Sequence, residues 1–105
     1  MLEGNHAAAF AKRQKGTLPG ELGIEWQVVA NGRAEGAFTV ARKHMAPNGF
    51  MHAASVVALA DSACGYGCMA SLPDGASGFT TIEIKTNYLG TAKEGERVKI
   101  GRAHV

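Results

Sequence analysis

The sequence predicts an α+β domain in which one long apolar helix packs on an antiparallel sheet. Three observations carry this. Several stretches alternate apolar and polar residues at period two, as half-buried strands do. Between them, from about Met51 to Ala70, runs a stretch with no Lys, Arg or Glu and a single carboxylate, Asp61. Short segments rich in Gly, Pro and Asn separate these blocks, which is turn chemistry. At 105 residues the chain has the length of one domain, enough for a modest core.

The elements follow in order. "AAAFAKRQK" predicts a short helix ended by Gly16, and "TLPGELG" a turn. In "ELGIEWQVVANG" the residues Leu22, Ile24, Trp26 and Val28 fall on one face, Glu25 and Gln27 on the other. "NGR" at 31–33 closes a hairpin onto a second strand, "AEGAFTVARKHM", with Phe38 and Val40 inward. "APNG" breaks that strand, and the long helix follows. After the loop "LPDGASG", a third strand is expected in "FTTIEIKTNYL". Thr80, Ile82, Ile84, Thr86 and Tyr88 share one of its faces; Glu83, Lys85 and Asn87 share the other. "RVKI" opens a fourth.

The last residues, "IGRAHV", also spell in codons (ATC-GGA-AGA-GCA-CAC-GTC) a widely used short-read sequencing adapter. The expectation is therefore an incomplete domain over 1–99 followed by a non-native tail over 100–105. The parent protein would have roughly 140 residues, because a sheet covering such a helix needs about five strands.

Composition narrows the function. A net charge of +2 from scattered basic residues gives no footprint for nucleic acid. No apolar leader opens the chain. The long helix is rich in Ala, Gly and Ser and carries Asp61 at its centre, which argues against a membrane span. Cys64 and Cys68, four apart on one helix, suit neither a disulfide nor a zinc site. They read as small buried residues in a reducing compartment, so the cytoplasm is expected. No metal constellation is visible, and no cofactor is implied.

Asp61 needs a reason. A lone carboxylate among apolar neighbours is costly. Its neighbours at helical spacing, positions 54, 57, 58, 64, 65 and 68, are mostly small. They leave room for another helix or a ligand, though plain helix packing uses the same pattern. The helix start, "NGFMHAA", places Gly49 in a turn, then His52, then the N–H groups of Ala53 and Ala54. Free N–H groups there favour an oxyanion or a polarised carbonyl. Ala53 and Asp61 lie eight residues apart, about 12 Å along one helix. They cannot easily share one reacting atom within a chain, but can across two chains. A functional reading therefore implies a dimer.

"PNGFMHAASVVALADSACGYG" followed by "GFTTIEIKTNYLGTAKEG" resembles the hot-dog-fold thioesterases of the phenylacetic acid degradation (PaaI) type. The shared pattern is a turn glycine, a His, an acidic residue nine positions later, then a strand opening with Ser or Thr and running toward Asn-Tyr-Leu. The resemblance covers roughly 17–98. It implies a hot-dog fold, an antiparallel sheet wrapped around one long central helix, here without its last strands. It implies hydrolysis of an acyl- or aryl-CoA by a homodimer or homotetramer with sites at the subunit interface. By the same resemblance Asp61 would be nucleophile or general base, and Ala53 N–H would polarise the thioester carbonyl. Thr80, or Thr81 in the alternative register, would help position water or substrate. His52 would shape the turn, with Asn48 and Gly49 close to the thioester.

Two departures stand out. Ala53-Ala54 replaces the usual Gly-Gly, and Ala46 occupies a position where the pattern often has Asn. The alanines keep open a non-catalytic acyl-CoA or acyl-ligand binding module on the same fold. A structural domain that merely tolerates Asp61 is a third reading.

Overall fold

The computed structural model describes residues 2–101. In chain order the elements are α1 (Ala7–Arg13), α2 (Leu18–Glu21), β1 (Glu25–Ala30), β2 (Arg33–Thr39), a 3-10 turn (Arg42–His44), α3 (Ala53–Ala70) and β3 (Arg97–Ile100). The strands form one antiparallel sheet in the order β1-β2-β3, and α3 packs against it. α2 is one helical turn where the sequence suggested only a turn; Pro19 near its start fits the first-turn preference of proline.

β1 departs from the expected alternation. Its register shifts between Trp26 and Val28, a β-bulge at Gln27. The slip turns Val29 into the core instead of Val28: Val29 is fully buried and Val28 only partly. The backbone groups freed by the bulge find a side chain. Asn5 Nδ2 donates to the Gln27 carbonyl, and the Val29 N–H donates to Asn5 Oδ1. The N-terminal segment is thereby fastened to the sheet. Phe38 and Val40 point inward as expected.

Phe10, Ile24, Trp26, Val29, Phe38, Val40, Leu59 and Ala63 form the centre of the core. Gln14 ties three elements inside it. Its Nε2 donates to the Ile24 carbonyl, while its Oε1 accepts from Trp26 Nε1 at 2.9 Å and from the Tyr66 hydroxyl at 3.0 Å. Trp26 and Tyr66 meet edge to face.

Two expectations fail on α3 and beyond it. The helix is not covered all round: its buried residues are Ser55, Leu59, Ala63, Gly65 and Ala70, and Cys64 and Cys68 are exposed free thiols. A three-stranded sheet covers one face only. The alternating segment 79–89 forms no strand, because no ladder partner lies beside it among the described residues. Ile82 and Leu89 there are 94% and 99% exposed. α3 is long and apolar enough to cross a membrane by length and composition, and one of its faces lies against β1 and β2. The sequence-level expectation for the tail falls mostly on residues 102–105, outside those described; Ile100 ends β3, opposite Gly36.

Candidate functional site

The start of α3 is held by the loop before it. The Gly49 N–H donates to the Ala46 carbonyl and the Ala46 N–H to the Phe50 carbonyl, closing a tight turn. Gly49 sits at φ +89°, a left-handed conformation that costs little only for glycine, which has no Cβ. Asn48 Oδ1 accepts from the Phe50 N–H, an Asx turn within the same loop. Met45 and Met51 pair across it.

His44 anchors this loop to the body. Its ring is buried and stacks on Phe38 at 4.4 Å. Nδ1 accepts the Ala41 N–H at 2.8 Å, so the proton sits on Nε2, which donates to the Leu22 carbonyl at 2.6 Å. The His44 carbonyl accepts from the His52 N–H and from Ser55 Oγ. The first turn of α3 is thus tied to one fixed residue.

His52 is the N-cap. Its Nδ1 accepts the Ala54 N–H at 2.9 Å, and the Ser55 N–H goes to its carbonyl. That leaves the Ala53 N–H without an acceptor among the described residues. It opens on a cleft lined by Ala46, Asn48, Phe50, Met51, His52 and Thr91. Of the two N–H groups at the helix start, Ala54's is taken by the cap and Ala53's is not.

Two turns further on, Asp61 is half-buried. The Thr81 hydroxyl donates to its Oδ1 at 2.9 Å. Thr81, not Thr80, makes this bond. Sequence alone left the two in doubt because the segment's register is set by its seat on α3. Asp61 opens on a second cleft, with Phe10, Arg13, Gly65, Tyr66, Met69 and Phe79. Gly65 was one of the small neighbours read from the sequence; Phe10 and Tyr66 were not singled out, since only the folded chain brings α1 over α3. The rings of Phe10 and Tyr66 are 4.8 Å apart. Burial pushes the Tyr66 phenol above its ordinary range, and the Arg13 guanidinium acts the other way. Among the described residues no three His, Cys, Asp or Glu side chains converge as metal ligands.

One chain therefore presents an uncapped helix N–H at Ala53 and a hydrogen-bonded carboxylate at Asp61, about 12 Å apart along α3 and beside separate clefts. The sequence profile of the thioesterase superfamily matches residues 48–102, the part that holds both. The chain belongs to the thioesterase superfamily. Solved structures of the superfamily share its fold. A mutant thioesterase from Pseudomonas aeruginosa superposes with a TM-score of 0.80 at 22% identity, over 89% of this chain and 66% of that one. A thioesterase family protein from Silicibacter pomeroyi gives 0.73 at 32% identity, over 89% and 65%. The E. coli PaaI protein from the phenylacetic acid degradation operon gives 0.67 at 20% identity, over 87% and 63%. This chain thus spans about two thirds of the length of the superfamily structures it matches. No curated protein sequence matches it. Its sheet and long helix are those of the hot-dog fold, with three strands among the described residues.

Proposed function

We propose that this superfamily member hydrolyses an acyl- or aryl-CoA thioester to the free acid and CoA. The observation that carries the reading is the pairing, on one helix, of a free Ala53 N–H at its start with an Asp61 carboxylate held by Thr81. The Ala53 N–H polarises the thioester carbonyl, with the positive end of the helix behind it. Asp61 acts on that carbonyl through water or directly. In the water route, Asp61 takes a proton as the water oxygen bonds to the carbonyl carbon. The tetrahedral adduct then collapses, the C–S bond breaks, and the CoA sulfur leaves and is protonated. Asn48, Gly49 and His52 form the turn over which the thioester lies, and Thr81 orients Asp61.

The separation of the two groups implies a site completed by a second copy, with Asp61 of one chain opposite Ala53 of the other. The exposed apolar side chains of Ile82, Ile84 and Leu89 support such an association, since an apolar stretch of this kind marks an interface. No metal takes part in the proposed reaction, and CoA enters as part of the substrate.

The test is release of free thiol from a panel of acyl-CoAs, with Asp61→Ala as the paired control. Turnover in the parent that drops by about 10³-fold or more in Asp61→Ala, with circular dichroism and oligomeric state unchanged, is expected. Binding of acyl-CoA without turnover in either protein would assign the chain to a binding module instead.

A further inference from the structure

The cleft beside Asp61 measures about 360 Å³. We propose that it is the acyl pocket, and that Phe79 seated on Gly65 restricts it to compact acyl groups, a short chain or a single ring. The proposal rests on the thioesterase reading above and names the substrate class of that site.

Asp61, Gly65 and Met69 are spaced four apart, so they line one face of α3 and lead away from the carboxylate. On the facing side, the segment that places Thr81 on Asp61 places Phe79 on Gly65. A two-residue step along that segment matches one turn of the helix. The fit is close: a Cβ on Gly65 would lie 2.7 Å from Phe79 Cζ. The ring therefore occupies the space that any larger residue at 65 would take. It lies about one turn, roughly 6 Å, from the carboxylate.

α1 closes the far side. Phe10 packs on Tyr66 at 4.8 Å, and the Arg13 guanidinium lies 5.2 Å from the centre of the Phe10 ring. Aromatic rings, Met69 and a bare glycine make a wall suited to an apolar group. Its size points the same way. A cavity of about 150 Å³ holds benzene, so the part of the site that one chain supplies has room for a single ring with a short linker. It sits at the small end of ligand pockets, which begin at about 300 Å³. Phe79, 48% exposed, fills the space beside Gly65 that a long acyl chain would run through.

The experiment uses a ladder of straight-chain acyl-CoAs from acetyl to palmitoyl, with benzoyl-CoA, against the parent chain, Phe79→Ala and Phe79→Leu. Expected is a kcat/KM at least 10-fold higher for butyryl- or benzoyl-CoA than for dodecanoyl-CoA. Phe79→Ala is expected to raise the dodecanoyl-to-butyryl ratio at least 10-fold, and Phe79→Leu to move it less, in the same direction. A parent optimum at dodecanoyl or longer overturns the proposal. So does a Phe79→Ala effect equal along the ladder.

A second readout separates this proposal from the one it rests on. The matching free acids are titrated against the fluorescence of Trp26, the single tryptophan, which meets Tyr66 edge-on at 5.0 Å. If no thiol is released, yet compact acids bind and Phe79→Ala admits dodecanoate, the pocket stands and hydrolysis falls. Thiol release together with acid binding indifferent to length and to Phe79 leaves hydrolysis standing and overturns the pocket. Neither binding nor turnover overturns both.

Discussion

At the scale of the residue, the proposed mechanism turns on Ala53. It is the first residue of α3, its N–H has no acceptor among the described residues, and His52 before it has φ −68° and ψ 135°. Proline is tolerated at such a first position, and the extended conformation of His52 is the one a following proline requires. Ala53→Pro therefore deletes one hydrogen-bond donor while leaving the helix. The expected result is a loss of about 10²–10³-fold in kcat, the typical cost of one oxyanion donor, measured by thiol release with helix content followed by circular dichroism. An unchanged kcat in a folded Ala53→Pro protein would remove the N–H from the mechanism. At this scale the spacing was legible in the sequence. His52, Asp61 and their spacing can be read from the residues, because a helix fixes distances along itself. The choice of Thr81 over Thr80 could not be read, because it depends on how a separate segment seats against that helix. Nor could the division of labour at the helix start, where the His52 ring takes the Ala54 N–H and spares its neighbour.

Elements were legible where their period is strong and their partners are near in sequence. The hairpin of β1 and β2 follows from two alternating runs around Asn31-Gly32, and Ala30 pairs with Arg33 across that turn. The bulge at Gln27 escaped, because Asn5, which satisfies it, arrives from over twenty residues away. Segment 79–89 alternates as a strand does, yet alternation describes a side-chain pattern and not a ladder; a strand also needs a neighbour. The hairpin makes a sharp prediction. A Cβ on Gly36 would lie 2.5 Å from the Trp26 ring and 2.9 Å from the Glu25 carbonyl. Both neighbours belong to β1, so neither yields freely. Gly36→Ala is expected to cost about 1–3 kcal/mol, seen as a fall of roughly 4 °C or more in the thermal unfolding midpoint. A midpoint within a degree of the parent would show that the β1 edge is softer than its packing implies.

Across the whole molecule, Gln14 joins α1 to β1 and α3 through the Ile24 carbonyl, the Trp26 indole and the Tyr66 phenol. The phenol must keep its proton to donate to Gln14 Oε1, and burial raises its pKa above the ordinary tyrosine value of 10.0. The sign follows. Below pH 10 the phenol is protonated in both folded and unfolded chains, and its contribution is complete. As pH rises past that value, the unfolded chain loses the proton first, so stability falls until the folded phenol also ionises. Denaturant midpoints are therefore expected to drop above pH 10, and Tyr66→Phe is expected to flatten that limb while lowering stability at neutral pH. A limb equally steep in Tyr66→Phe would place the alkaline loss elsewhere.

The distance between Ala53 and Asp61 also governs how damage adds up. In the proposed dimer each chain lends its carboxylate to one site and its helix start to the other. Chains carrying Asp61→Ala and chains carrying Ala53→Pro are both dead alone, but in a mixed dimer both defects can fall into the same site. The second site is then whole. Equal mixing makes half the dimers mixed, so refolding the two together restores about a quarter of the parental rate from two inactive proteins.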